Sequence, residues 1–103
     1  MNVADPERIK DQKHKERRVR EQELFDVRAV LCTPEGRRFF WRLLSLFKVF
    51  GSIWESSARI HYNSGQQDCG HFLLAEASEA DPEAYLLMQK EAMKREREES
   101  INA

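Results

Sequence analysis

Three prolines punctuate this chain, and each stands in the same local setting: Asp5-Pro6-Glu7, Thr33-Pro34-Glu35 and Asp81-Pro82-Glu83. The polar side chain before each proline can accept from the free amides of a helix's first turn. Proline at the first helical position gives up no hydrogen bond, and the glutamate after it lies at the positive end of the helix dipole. The residue before proline is pushed out of the helical region, so each site also stops a helix arriving from the N-terminal side. Such junctions in a chain of 103 residues predict a small all-α protein, one domain of about four helices.

The segments between the junctions differ in what they can bury. From residue 6 to 23 the chain is almost continuously charged, with Ile9 and Val19 as its large apolar side chains, and such a segment can be helical yet hold no core. Periodicity begins at Leu24: Leu24, Val27 and Leu31 share a face, flanked by Phe25 and Cys32. One long helix is predicted, free over its N-terminal half and docked over its C-terminal half. In the second helix Phe39, Phe40, Leu43, Leu44 and Phe47 project within about a third of the circumference, which makes it the core helix. Gly36 lies on the same side and would let another backbone or ring approach closely.

Residues 48 to 63 have no helical period, and their aromatic content predicts a packed connection with a turn at Gly51-Ser52. The alternation Ala58, Ile60, Tyr62 suggests a short strand there. Asn63-Ser64 reads as the cap of a third helix running to about Ala80, with Cys69, Phe72, Leu73 and Ala80 on one face and Gly65 and Gly70 keeping it thin. The fourth helix follows Pro82, with Tyr85, Met88 and Ala92 on one side of an apolar face and Leu86 and Met93 on the other, and continues as an exposed charged tail. The resulting organisation is a charged helical arm over residues 1–23, a helical core over 24–93 and a charged helical tail over 94–103.

A net charge of −1 conceals a polarity along the chain. Residues 8 to 48 hold 12 basic and 6 acidic side chains, whereas residues 49 to 103 hold 5 basic and 10 acidic. Two halves of opposite sign can neutralise each other on folding, or the basic one can reach for an acidic partner. Cys32 and Cys69 fall among apolar or helical residues and read as reduced, buried thiols. No apolar run approaches the roughly 20 residues of a membrane span, nor does the N-terminus resemble a signal peptide, so a soluble intracellular protein is expected.

Four constellations invite chemistry. Arg38, Trp41 and Arg42, with Ser45 and Lys48, occupy the face of the second helix opposite its apolar stripe. Aromatic and arginine side chains together make a protein-interaction site, unless the first helix or the long connection covers Trp41 within its own chain. The arm residues Arg8, Lys10, Lys13, Lys15, Arg17, Arg18 and Arg20 could track nucleic-acid phosphates, although Asp11, Glu16, Glu21 and Glu23 among them favour a solvated or protein-binding helix. Cys69, His71, His61 and Cys32 lack the paired close spacings of a zinc site. Ser56, Ser57 and His61 with Glu55 or Asp68 lack the strained elbow of a nucleophilic triad, while Glu76, Glu79, Asp81 and Glu83 read as a charged helix junction. Neither catalysis nor a metal or other cofactor is expected.

The run from Cys32 to Leu44, Cys-Thr-Pro-Glu-Gly-Arg-Arg-Phe-Phe-Trp-Arg-Leu-Leu, resembles the signature of a family of short proteins from tailed bacteriophages and prophages. In that family a Thr-Pro-x-Gly-Arg start precedes an aromatic, Trp-Arg-Leu-Leu helix. Tyr62-Asn63-x-Gly65, Gly70, Leu73-Leu74 and the closing run from Glu79 to Tyr85 look like its downstream half, although Gln66 and Gln67 stand where relatives usually have basic residues. The resemblance implies a gene among the head and DNA-packaging genes, near those of portal and capsid proteins. It further implies a noncatalytic virion or head-assembly protein, in the virion or in the host cytoplasm during assembly. Portal, capsid or tail-connector proteins, or further copies of the chain, would be its partners. A nucleic-acid-associated packaging or regulatory factor using the basic arm is the alternative.

Overall fold

Every Pro-Glu junction starts a helix in the computed structural model, which describes residues 5–102. Helix α1 spans Pro6–Leu31, α2 Pro34–Leu46, α3 Arg59–Ala80 and α4 Pro82–Asn102, and the fold is all-α. The caps are those the sequence implies. Asp5 accepts from the Glu7 amide at 3.0 Å, Thr33 Oγ1 from Gly36 at 3.0 Å and Asp81 Oδ1 from Ala84 at 3.1 Å. Asp81 alone separates α3 from α4.

The expected strand around residues 58 to 62 is not there: Arg59 already begins α3, four residues before the expected cap at Asn63. An alternation of three apolar residues is too short to separate the two periods. Asn63 instead faces inward, 6% exposed, and its Nδ2 donates to the Ile53 carbonyl at 3.3 Å and to Glu55 Oε2 at 3.4 Å. A buried amide thus anchors the connection that it was expected to end. Gln67 does the same from the next turn, donating to the carbonyls of Lys48 at 2.8 Å and Gly51 at 3.3 Å.

Leu31, Leu44 and Met88 are the fully buried large side chains, joined by Phe40, Ala77 and Ala84 and bordered by Val27, Trp41, Val49, Leu73, Leu74 and Tyr85. The buried meridian of α2 is therefore displaced from the expected stripe. Phe40 and Leu44 are buried, Leu43 and Phe47 are half-buried and Phe39 is 49% exposed. Trp41 takes the place of Phe39 at the core's edge because its ring stacks on Phe50, with centroids 4.8 Å apart. In α3 the inward residues are the small ones, Gly70, Ala77 and Ala80. A Cβ on Gly70 would collide with the Val49 side chain and lie 2.9 Å from Phe47 Cβ. So close an approach leaves Cys69 and Phe72 outside, against the expected face. Both cysteines are exposed free thiols rather than buried ones. In α4 the buried residues are Ala84, Met88 and Ala92, with Leu86 and Met93 outside.

Two turns set the helix directions. Between α1 and α2, a Cβ on Gly36 would meet the Val30 carbonyl, so only glycine permits the tight return. At the end of α2 the amides of Lys48 and Val49 donate to the carbonyls of Ser45 and Leu44, both at 3.1 Å, the paired bonds of a Schellman motif. Lys48 holds the left-handed position of that motif with φ 59°, where glycine is usual.

The helices form a thin plate, 69 × 39 × 15 Å between Cα extremes, with a radius of gyration of 19.0 Å. A globular chain of 100 residues would have about 13 Å.

Leu44→Ala and Met88→Ala are expected to lower unfolding free energy by about 2 to 5 kcal/mol, whereas Phe39→Ala should lose under about 1 kcal/mol. Urea denaturation of the three variants checks the rotated face of α2. Lys48→Gly should be more stable than Lys48→Ala by about 1 kcal/mol, since both lose the ammonium and only alanine keeps the left-handed strain. Urea midpoints of the two variants measure that difference.

Candidate protein-docking face

The basic and acidic halves meet through two arginines. Arg20 on α1 donates through Nη2 to Glu79 Oε2 at 2.6 Å, and through Nη1 to Glu76 Oε1 at 3.1 Å and Glu23 Oε1 at 3.2 Å. Glu76 Oε2 lies 2.9 Å from the same Nη1 but accepts no hydrogen bond, so its burial rests on the ion pair alone. These carboxylates, through their hydrogen bonds, raise the Arg20 pKa further above its already high value. Arg37 on α2 is more enclosed. Its Nε and Nη2 donate to the two oxygens of Glu91 on α4 at 2.7 and 3.2 Å, while Nη1 donates to the Leu31 carbonyl at 3.0 Å. The bidentate hydrogen bonds from Arg37 hold the Glu91 carboxyl below the usual carboxylate range, and the neighbouring Arg95 and Arg38 charges add to the effect.

With Arg20 and Arg37 so engaged, the cations of α2's outer side stand out. Arg38 and Arg42 are exposed and, among the described residues, form no ion pair. The Arg42 guanidinium lies 5.3 Å from the centroid of the exposed Phe39 ring, within cation–π range. Arg95 joins them from α4. Glu35, Arg38, Phe39, Trp41, Arg42, Ser45 and Arg95 line one open hollow of about 550 Å³. Trp41 and Ser45 also border a second, of about 570 Å³, with Lys48, Phe50, Met93 and Glu96. The two form one concave face along α2 and α4, cationic at one end, with Trp41, Phe50 and Met93 among polar and charged side chains at the other.

The structure thus brings Arg38, Trp41 and Arg42 together, but with different standing. Trp41 is half-buried, packed on the core and stacked on Phe50, so its own chain covers part of it. Lys48 borders the second hollow while its Nζ donates to Gln66 Oε1 on α3 at 2.8 Å. Arg95 escaped the sequence reading because it lies in the charged tail. The signal was present: Arg95 is seven residues after the buried Met88 and three after the buried Ala92, on the continuation of the inward face of α4.

Of the arm's cations, Arg8, Lys10, Lys13, Lys15, Arg17 and Arg18 are exposed on α1 without ion pairs among the described residues, and Arg20 is the one drawn into the fold. Ser57 Oγ donates to Glu55 Oε1 at 3.1 Å, so that pair belongs to the turn entering α3. Glu76 and Glu79, at the expected charged junction, are the carboxylates that hold Arg20. Among the described residues no helix is long and apolar enough to cross a membrane.

Fold and face together describe a small helical plate that presents surface, with cations and aromatic rings in the open. The chain belongs to the Bbp19-like phage protein family, whose family model matches residues 27–90, more than half of its length. The match runs from the docked end of α1 into α4 and leaves out the charged arm. No curated protein and no solved structure matches the chain.

Because the Glu91 pKa is lowered in the folded state, its pairing stabilises above the unfolded carboxylate value of about 4.3 and is lost as pH falls through the lower folded value. Glu91→Gln should therefore melt below the parent protein at pH 7, and the gap should close under acid. Thermal melts at pH 7 and across the acid range test this.

Proposed function

We propose that this chain is a noncatalytic phage assembly protein that binds other phage structural proteins through the concave face of α2 and α4. What carries this reading is the set of guanidinium groups of Arg38, Arg42 and Arg95, none paired with a carboxylate among the described residues and all bordering the same hollow beside Phe39 and Trp41. A partner offering carboxylates and an apolar side chain would satisfy both ends of that face. The family resemblance supports a place in head assembly or DNA packaging, with portal, capsid or tail-connector proteins as the partners.

A second reading has its own observation. The six unpaired arm cations are exposed along α1, as a helix that follows a phosphate backbone would need. Asp11 and Glu16 are interleaved with them and Glu7, Glu21 and Glu23 flank them on the same helix, which favours the first reading.

Mass spectrometry of purified particles and of precursor heads tests the proposal directly. The chain should be present in one or both, and the variant Arg42→Glu should be depleted at least about tenfold while keeping its melting temperature. Absence from both kinds of particle overturns the assembly role. Binding to DNA that collapses between about 50 and 200 mM salt would establish the second reading instead.

A further inference from the structure

Along α2 the residues that border the concave face follow helical spacing: Arg38, then Trp41 and Arg42 about one turn on, then Ser45 a turn beyond. Arg38 and Arg42 are four residues apart on one helix, which sets their Cβ atoms about 6 Å from each other. Arg95 meets them from α4. One carboxylate, that of Glu35, borders the same hollow, and it belongs to the first turn of α2, where the helix dipole favours it. Glu91 lies beyond, with both oxygens already bonded to Arg37. The cations of this end therefore outnumber the carboxylates that could answer them.

Trp41 and Ser45 border both hollows, so the ground of Phe50 and Met93 begins where the guanidinium groups stop. Arg38 and Ser45 are seven residues apart, or about 10 Å along α2. A partner that fits both ends needs carboxylates about one turn apart and an apolar side chain about two turns further along.

The backbone of the face restricts the partner's form. Its two walls are α-helices, whose amides and carbonyls are spent within the helices, and among the described residues there is no strand to offer a sheet edge. At the connection the carbonyls of Lys48 and Gly51 already accept from Gln67. An extended segment laid along these walls would lose water from its own amides and carbonyls without replacement. A helix arrives with those groups paired, and its side chains at every third or fourth position point to one side. Carboxylates four residues apart on such a helix repeat the spacing of Arg38 and Arg42.

Resting on the docking role already proposed for this face, we propose that its occupant is an acidic amphipathic helix of a partner protein, seated between α2 and α4. Its carboxylates meet Arg38, Arg42 and Arg95, and its apolar side chain lies over Trp41, Phe50 and Met93.

Selection of displayed peptides on the immobilised full chain reads the occupant's form. Two libraries of about 20 residues are used, one on a helical scaffold with a single randomised face and one random and unstructured. The helical library should yield the binders, with Asp or Glu enriched at a spacing of three or four and a large apolar residue about two turns away. Changing the acids of a selected helix to amides should weaken binding at least about tenfold, as should Arg42→Glu in the full chain, whose melting temperature stays that of the parent. Proline-rich or basic binders overturn the proposal, as does a helical consensus indifferent to Arg42→Glu or no enrichment above an unrelated bait. Displacement of the selected helix by a short DNA duplex at about 150 mM salt would give the face to phosphates instead. If Arg42→Glu is depleted from particles and no acidic helix is selected, the docking role stands and this occupant falls. An acidic helical consensus with Arg42→Glu retained in particles upholds the occupant's chemistry and removes the assembly role.

Discussion

One guanidinium group closes this plate. Arg37 belongs to the first turns of α2, satisfies a terminal carbonyl of α1 at Leu31, and grips both carboxylate oxygens of Glu91 in the middle of α4. Leu31 is itself 1% exposed, so the arginine fixes the backbone of a core residue while its charge is met by an element more than fifty positions away. Arg's planar fork makes three directed bonds at once, which the point charge of a lysine cannot reproduce. Arg20 performs a parallel service between α1 and α3. The basic-to-acidic polarity of the sequence is thereby converted into contacts that hold first-half helices onto second-half helices.

The parts of this fold that were legible in the sequence are those governed by neighbours along the chain. Asp5, Thr33 and Asp81 cap the helices that their prolines announce, and Gly36 permits a close approach as expected. What stayed hidden depends on distant groups. Arg37 looks like any polar helix residue until Glu91 is beside it. Asn63 looks like a cap until its amide is seen bonded to Ile53 and Glu55. Lys48 occupies a left-handed site that carries no glycine to advertise it.

The candidate face shows the same division. Arg38 and Arg42 are neighbours on one helix and could be grouped by spacing, but Arg95 reaches them only through the packing of α4 on α2. Trp41 was open to two accounts, and the stacked Phe50 supplies the intrachain cover that one of them required. The cationic end of the face consequently rests on arginines, while the indole acts mainly as its floor. The Bbp19-like family match extends over α2 and the first turns of α4, and ends before Arg95 and short of the projecting arm.

A plate only 15 Å deep between Cα extremes is also a hydrodynamic object. Friction in solution follows extent rather than mass, and a radius of gyration of 19.0 Å is that of a considerably heavier sphere-like protein. A single copy will therefore elute from a sizing column ahead of globular standards of its own mass, imitating an oligomer. For this chain, an elution volume speaks of shape, and copy number has to be weighed.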